Sequence, residues 1–247
     1  MYTFDYTQKT DVGKLRMQNQ DAMGVIQTSS GLLFVTCDGM GGHQAGDTAA
    51  KMAVQGFSDF FMTKTFSNTE IPLAFMESCQ LVDEKIITHS VDNLECAGMG
   101  TTVVMLLINQ EGGFYAHVGD SRLYHSKDDT LSLLTKDHSY VQKLIDLNRI
   151  TEEEAQFHPK KNFIERALGT EDCAPDMGAI PPLNENEDMF LLCTDGLTNM
   201  LPEIEIYAVL SSNDFDLQKK ALLLIAMANE KGGADNITIQ LIKRTKV

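Results

Sequence analysis

The sequence predicts an α+β fold, with strands and helices segregated along the chain rather than alternating. Two consecutive helical patterns, at about 45–60 and 72–86, stand between strand-rich regions. Residues 97–134 hold short apolar runs broken by turn residues, as in an antiparallel meander. No strand–helix–strand alternation of a doubly wound sheet is present. No linker, low-complexity segment or fixed-period repeat interrupts the 247 residues, so one domain over 1–247 is expected.

Each element follows from its pattern. Tyr2, Phe4 and Tyr6 alternate with polar residues, the period of a strand. Asp11-Val12-Gly13 is a turn, and Arg16 to Asp21 is a polar knot before the next strand. The run Leu32-Leu33-Phe34-Val35 leads to Asp38, followed by Gly39, Gly41 and Gly42. Ala45, Ala49, Met52, Ala53, Gly56, Phe57 and Phe60 share one helix face. Pro72 suits the first turn of a second helix, with Phe75, Met76, Cys79, Val82 and Ile86 as its stripe. Both stripes read as core.

Strands are expected at Val103–Ile108, Phe114–Val118, Leu123–His125 and Leu131–Leu134. Residues 137–172 are polar, with short helical patterns at Tyr140–Leu147 and Thr151–Gln156, and Thr151 with Glu154 fits a capping box. A surface flap is expected at about 139–165. A strand at Asp188–Cys193 ends in Thr194-Asp195-Gly196. A helix over Asp216–Glu230 is expected to turn Leu222, Ile225 and Ala226 inward and to stop at Gly232-Gly233. The last strand is Asn236–Ile242.

Composition narrows the function. A net charge of −15 argues against a nucleic-acid surface, which needs clustered Lys and Arg. No apolar run approaches the ~20 residues that span a bilayer. Met1 to Asp5 has no basic flank and no apolar signal core, so a complete cytosolic chain is expected. Five cysteines, an odd count without a CxxC pair, argue against a disulfide framework or a zinc site. Cys37 and Cys193 lie in apolar runs, as buried small hydrophobes do. None of the five has an arginine six positions later, so a phosphate-cradling thiolate loop is absent.

Four acids share one context. Asp38, Asp120 and Asp195 follow apolar runs, and Asp235 precedes one. A single Asp-Gly marks a turn. Four acids at strand ends can converge on one site, where they must bind cations or take up protons. Oxygen ligands alone suit Mg²⁺ or Mn²⁺. Arg16 lies in the polar knot between Asp11 and Asp21. It can be a surface ion pair or a planar fork for a phosphate or carboxylate.

Eight stretches then resemble, in order, the metal-dependent protein phosphatases of the PPM type, the protein phosphatase 2C family, and its compact bacterial members. They are Asp11-x-Gly13-x-x-Arg16-x-x-Asn19-Gln20-Asp21, Asp38-Gly39-Met40-Gly41-Gly42-His43, Gly100-Thr101-Thr102, His117-Val118-Gly119-Asp120-Ser121-Arg122, Asp137-His138-Ser139, Ala167-Leu168-Gly169, Thr194-Asp195-Gly196-Leu197 and Gly233-Ala234-Asp235-Asn236-Ile237-Thr238.

The resemblance implies a four-layer αββα sandwich: two antiparallel sheets flanked by helix pairs. It implies a protein serine/threonine phosphatase in which a water bridging two Mn²⁺ or Mg²⁺ ions attacks phosphorus directly. The implied ligands are Asp38 as the bridge, the Gly39 carbonyl, Asp195 and Asp235, with Asp21 near the second metal. Asp120 and Asp195 would hold a third, weaker ion, and Arg16 the substrate phosphate. Implied partners are phosphoserine and phosphothreonine proteins and a Hanks-type kinase; a cytoplasmic monomer is expected.

Two departures stand out. Gln20 replaces an acid common in the family, which weakens the second metal site. Met40 stands where animal members carry a histidine acid, so leaving-group protonation falls to water. His43 is expected to shape the turn or cap the following helix. The rival readings are a hydrolase of small phosphoesters and a non-catalytic binder of phosphoproteins or a kinase; the intact Asp38, Asp195 and Asp235 argue against the second.

Overall fold

The computed structural model describes residues 1–42, 45–170, 172–180 and 188–246. Strand β1 (Tyr2–Asp11) is followed by the hairpin β2 (Asp21–Thr28) and β3 (Gly31–Met40). Helices α1 (Ala45–Met62) and α2 (Ile71–Asp92) come next. The meander is β4 (Gly100–Thr101), β5 (Val103–Asn109), β6 (Gly112–Val118), β7 (Arg122–Lys127) and β8 (Thr130–Leu133). Short helices α3 (Tyr140–Asp146) and α4 (Glu152–Gln156) precede β9 (Asp176–Ile180) and β10 (Asp188–Cys193). The chain continues through α5 (Asp195–Thr198), α6 (Glu203–Ser211) and α7 (Leu217–Glu230) to β11 (Ile237–Lys246).

The strands form two antiparallel sheets. One has the order β1-β11-β10-β7-β8; the other is β2-β3-β5-β6-β9, with β4 paired to β3. Side-chain alternation makes the layers. On β3, Leu33, Val35 and Cys37 pack with Ala49, Phe57, Phe75 and Val82 of α1 and α2. Phe34, between them, faces the other way and joins Leu106, Leu123, Phe190 and Ile242 between the sheets. On the far side, Leu191, Cys193, Ile239 and Leu241 pack against Ile206, Ala221 and Leu224 of α6 and α7. Both faces of each sheet are covered, so strands β3, β5 and β10 read as nearly continuous apolar runs. The αββα sandwich implied by the sequence is the observed architecture. No helix among the described residues is long and apolar enough to cross a membrane.

The structure corrects two helix faces. On α7 the buried positions are Ala221, Leu224, Ile225 and Ala228, while Leu222 is 50% exposed and Ala226 faces outward. The i, i+3, i+4, i+7 set therefore starts one residue earlier than expected. On α2, Met76 lies on the outer edge of the stripe, and Ala74 and Ser78 fill the buried face. The Thr151/Glu154 capping box is present on α4. All five cysteines are free thiols.

Candidate active site

Strand pairing sets the first two acids side by side. Asp21 and Asp38 are direct partners across β2 and β3, so both carboxylates leave the same face. Like charges directly opposite are unfavourable, and nothing in the fold removes them. Asp195 opens α5 at the end of β10, and Asp235 lies just before β11. Those two come from the other sheet. Asp120 sits on the connection from β6 to β7, where the chain passes from one sheet to the other. Five acids from five segments thus meet at the seam of the sandwich.

The backbone is shaped to hold them. At Gly39 a Cβ would collide with the Gly46 and Gln20 carbonyls, so only glycine lets β3, α1 and the loop before β2 approach this closely. The Gly39 amide donates to Gln20 O (3.1 Å). Asp38 is clamped through its main chain: its amide donates to Thr102 Oγ1 (3.0 Å), and its carbonyl accepts from Thr101 Oγ1 and the Thr102 amide (both 2.9 Å). Asn199 Nδ2 donates to Asp195 Oδ2 (2.8 Å), and Thr194 Oγ1 to Asp21 Oδ2 (3.0 Å).

Arg16 is placed by a loop pinned at both ends. Gly233, in the left-handed region at φ +52°, ends α7 and turns its carbonyl to the Lys14 (2.7 Å) and Leu15 (3.3 Å) amides. Asn236 Nδ2 donates to Val12 O and Gln18 O (both 2.9 Å), and its Oδ1 accepts from the Gln20 amide (2.8 Å). Arg16 Nη2 then reaches Asp235 Oδ2 at 2.7 Å, with the guanidinium about half exposed. Asp38 and Asp195 act on the same cation. Arg122 is spent on structure, gripping Asp137 at 2.9 and 2.7 Å. Of the two arginines among these residues, Arg16 is the one open to a ligand.

Crowding and burial shift the acids. Burial, then the charges of Asp21 and Asp195, holds Asp38 well above the usual carboxylate range. Burial, then Asp195, does the same to Asp120, and burial with Asp235 raises Asp195. Burial lifts Asp21 to about 7 against the pull of the Thr238 and Thr194 hydroxyls. One buried oxygen on each of Asp21, Asp120 and Asp195 has no hydrogen-bond partner. Orphaned, converging, oxygen-only donors fit hard divalent cations. The residues present therefore match the metals that the resemblance implies.

A pH dependence follows. A carboxyl held protonated binds more protons in the folded protein than in the unfolded chain, where aspartate titrates near 3.8. Its contribution to stability is present below about pH 4 and is lost as pH rises through about 7. The Tm of the metal-free protein is expected to fall across this window by thermal melting in EDTA. Asp21→Asn should flatten the slope, and an unchanged slope would contradict the buried protonated acid.

The other sequence-derived candidates resolve as follows. His117 is buried, stacked on His138 at 4.5 Å, with Nε2 against Lys136 O (2.8 Å). Ser121 is 1% exposed and paired to Thr102 Oγ1 at 2.7 Å, which is no place for a nucleophile. His43 lies outside the described residues. Sequence reasoning assigned no role to Thr101, Thr102, Thr194, Asn199 or Asn236. All but Asn199 were inside the quoted motifs, yet Thr101 and Thr102 are 63 and 64 residues from Asp38, and Thr194 is 173 from Asp21.

Hard oxygen donors at the seam of two sheets, with a guanidinium at their rim, define a protein that handles phosphoryl groups with divalent cations. The chain belongs to the protein phosphatase 2C family, whose profile matches residues 14–219. It is 40% identical to the serine/threonine phosphatase stp of Listeria monocytogenes over 239 residues, 96% of this chain and 94% of that protein. Among solved structures it is similar to the Streptococcus agalactiae serine/threonine phosphatase, with TM-score 0.91 and 35% identity over 97% of this chain and 99% of that one. It is also similar to the catalytic domain of the phosphatase PstP in complex with two manganese ions, with TM-score 0.86 and 28% identity over the whole of both chains.

Proposed function

We propose that the chain is a single-domain protein serine/threonine phosphatase that hydrolyses phosphoserine and phosphothreonine. The observation that carries this is the convergence of Asp21, Asp38, Asp120, Asp195 and Asp235, with orphaned buried oxygens, beneath the exposed guanidinium of Arg16. Asp38, Asp195, Asp235 and the Gly39 carbonyl would hold two Mn²⁺ or Mg²⁺ ions, Asp21 would sit near the second, and Asp120 with Asp195 would take a weaker third. Such ions, when bound, supply charge neutralisation and an activated water.

The remaining chemistry belongs to the chain. Arg16 offers a planar fork to the phosphoryl oxygens and offsets the charge that develops on them. Thr101 and Thr102 fix the backbone of Asp38, and Asn199 fixes the carboxylate of Asp195, so the acids keep their places during turnover. Met40 has no proton to give, and the leaving alkoxide is protonated by solvent in the cleft. Residues 139–165 act as a flap: a cavity of about 870 Å³ has Val141, Phe157 and Lys161 on that segment and Asp120 and Asp195 opposite. The enzyme works as a cytoplasmic monomer on phosphoproteins, a Hanks-type kinase among them.

The test is phosphate release from a phosphothreonine peptide with Mn²⁺ and with EDTA. Release is expected only with metal and is expected to vanish in Asp195→Ala. Activity that survives both chelation and this substitution overturns the reading.

A further inference from the structure

A second cavity, of about 740 Å³, is lined by Arg16, Met17, Gln20, Thr48, Glu95 and Cys96. This volume is within the range of pockets that take a specific ligand. Its walls come from three segments: the pinned loop before β2, helix α1, and the turn Leu94–Cys96 that follows α2. Resting on the phosphatase reading, we infer that this cavity is a docking groove for the substrate polypeptide beside its phosphoresidue. Glu95 and Met17 select a segment that carries a basic and an apolar side chain there.

Three observations agree on that occupant. The groove is continuous with the site, because Arg16 lines it and also reaches Asp235 at 2.7 Å. A phosphate held by Arg16 therefore delivers its own chain to this space. Charge is complementary to one kind of segment: among the described lining residues Arg16 is the one cation and Glu95 the one anion. A phosphate on the first and a Lys or Arg on the second satisfy both. Exposed apolar side chains adjoin these two charged residues in sequence. Leu15 and Met17, on either side of Arg16, are 71% and 96% exposed, and Leu94, next to Glu95, is 89% exposed. An exposed methionine adapts to varied apolar partners, as a site serving several substrates requires.

The groove differs from the cavity under residues 139–165. That one contacts Asp120 and Asp195, whereas this one is reached from Arg16 and Gln20. A phosphopeptide centred on the acids has chain on both sides, and each cavity takes one of them.

The experiment uses the full chain with Mn²⁺ and three substrates. Two are phosphothreonine peptides identical except for neighbours of the phosphothreonine, Lys and Leu in one, Asp and Gly in the other. The third is p-nitrophenyl phosphate, which has no flanking polypeptide to lie in the groove. Wild type is expected to prefer the Lys/Leu peptide in kcat/KM. Glu95→Lys is expected to shift that preference about tenfold towards the acidic peptide, since an attraction becomes a repulsion at an exposed site. Met17→Asp is expected to raise KM for the Lys/Leu peptide several-fold by removing apolar contact. Turnover of p-nitrophenyl phosphate should stay within about twofold in both variants, because neither residue is placed against the reacting phosphoryl group.

Equal treatment of the two peptides by wild type and Glu95→Lys overturns the groove and leaves the phosphatase reading standing. Loss of p-nitrophenyl phosphate turnover in either variant shows a supporting role for the site and also overturns it. A wild-type dimer in sedimentation that Met17→Asp dissolves assigns the surface to a second copy instead. Wild type that hydrolyses p-nitrophenyl phosphate but neither peptide overturns the phosphoprotein reading, and the groove's occupant with it.

Discussion

Asp38→Asn is expected to lower kcat/KM for a phosphothreonine peptide by about a thousandfold, the upper range for removing one group that stabilises charge in a transition state, and to raise the Tm of the metal-free protein. The two effects have one cause. Asp38 stands opposite Asp21 and is acted on by Asp195, Asp120 and Asp235. Without cations the fold must keep this carboxyl protonated or tolerate its repulsion, and an amide of the same shape relieves both. Ligand that binds only the folded state stabilises by mass action. Added Mn²⁺ should therefore raise the wild-type Tm and barely move that of Asp38→Asn. Calorimetry in EDTA and in Mn²⁺ measures both arms. A metal-free variant that melts below wild type would contradict the repulsion.

Arg16→Ala is expected to raise KM for the phosphopeptide by about ten- to a hundredfold, the worth of a charge-assisted contact to phosphate. Its effect on metal binding should have the opposite sign. Arg16 now pairs with Asp235, a proposed cation ligand. Truncation releases that carboxylate, so Mn²⁺ is expected to bind more tightly as substrate binds less well. Titration calorimetry with Mn²⁺ and steady-state kinetics separate the two. An unchanged KM, or weaker Mn²⁺ binding, would remove Arg16 from the phosphate. Replacement by lysine should recover only part of the loss, since an ammonium lacks the planar fork.

The acids were legible because they break a pattern. Runs such as Leu32–Val35 and Met189–Cys193 give way to an aspartate within a few residues, and the abrupt stop of the run marks the end of the buried strand. The segregation of helices and strands was legible in the periodicity, whereas the four layers followed only from the resemblance of the motifs. What holds the acids was not legible. Asn236 ties the Arg16 loop to β11, and Thr194 binds Asp21, across 216 or more and 173 residues of sequence; no local spacing encodes such contacts. Two elements escaped local reading as well. Strand β9 is an edge strand with a glycine and only two large apolar residues, Met177 and Ile180. Helix α6 contains Ile204 and Ile206, two apart as in a strand, although Ile204 is 75% exposed. The phase error on α7 has a simpler cause: Leu222, Leu223 and Leu224 are consecutive, and hydropathy alone cannot choose the buried one.

The position of β11 also bears on how the protein comes into being. This strand lies between β1 and β10, and among the described residues β1 has no other strand partner. During synthesis β1 is made long before β11 and cannot pair with it until that strand follows. Asp235 and Asn236 arrive just ahead of β11, so the last acid and the residue that ties down the Arg16 loop appear only as the sheet closes. A nascent chain thus carries most of the site's residues and none of its assembled geometry. Until β11 has been made, such a chain holds the acids without the sheet that brings them together.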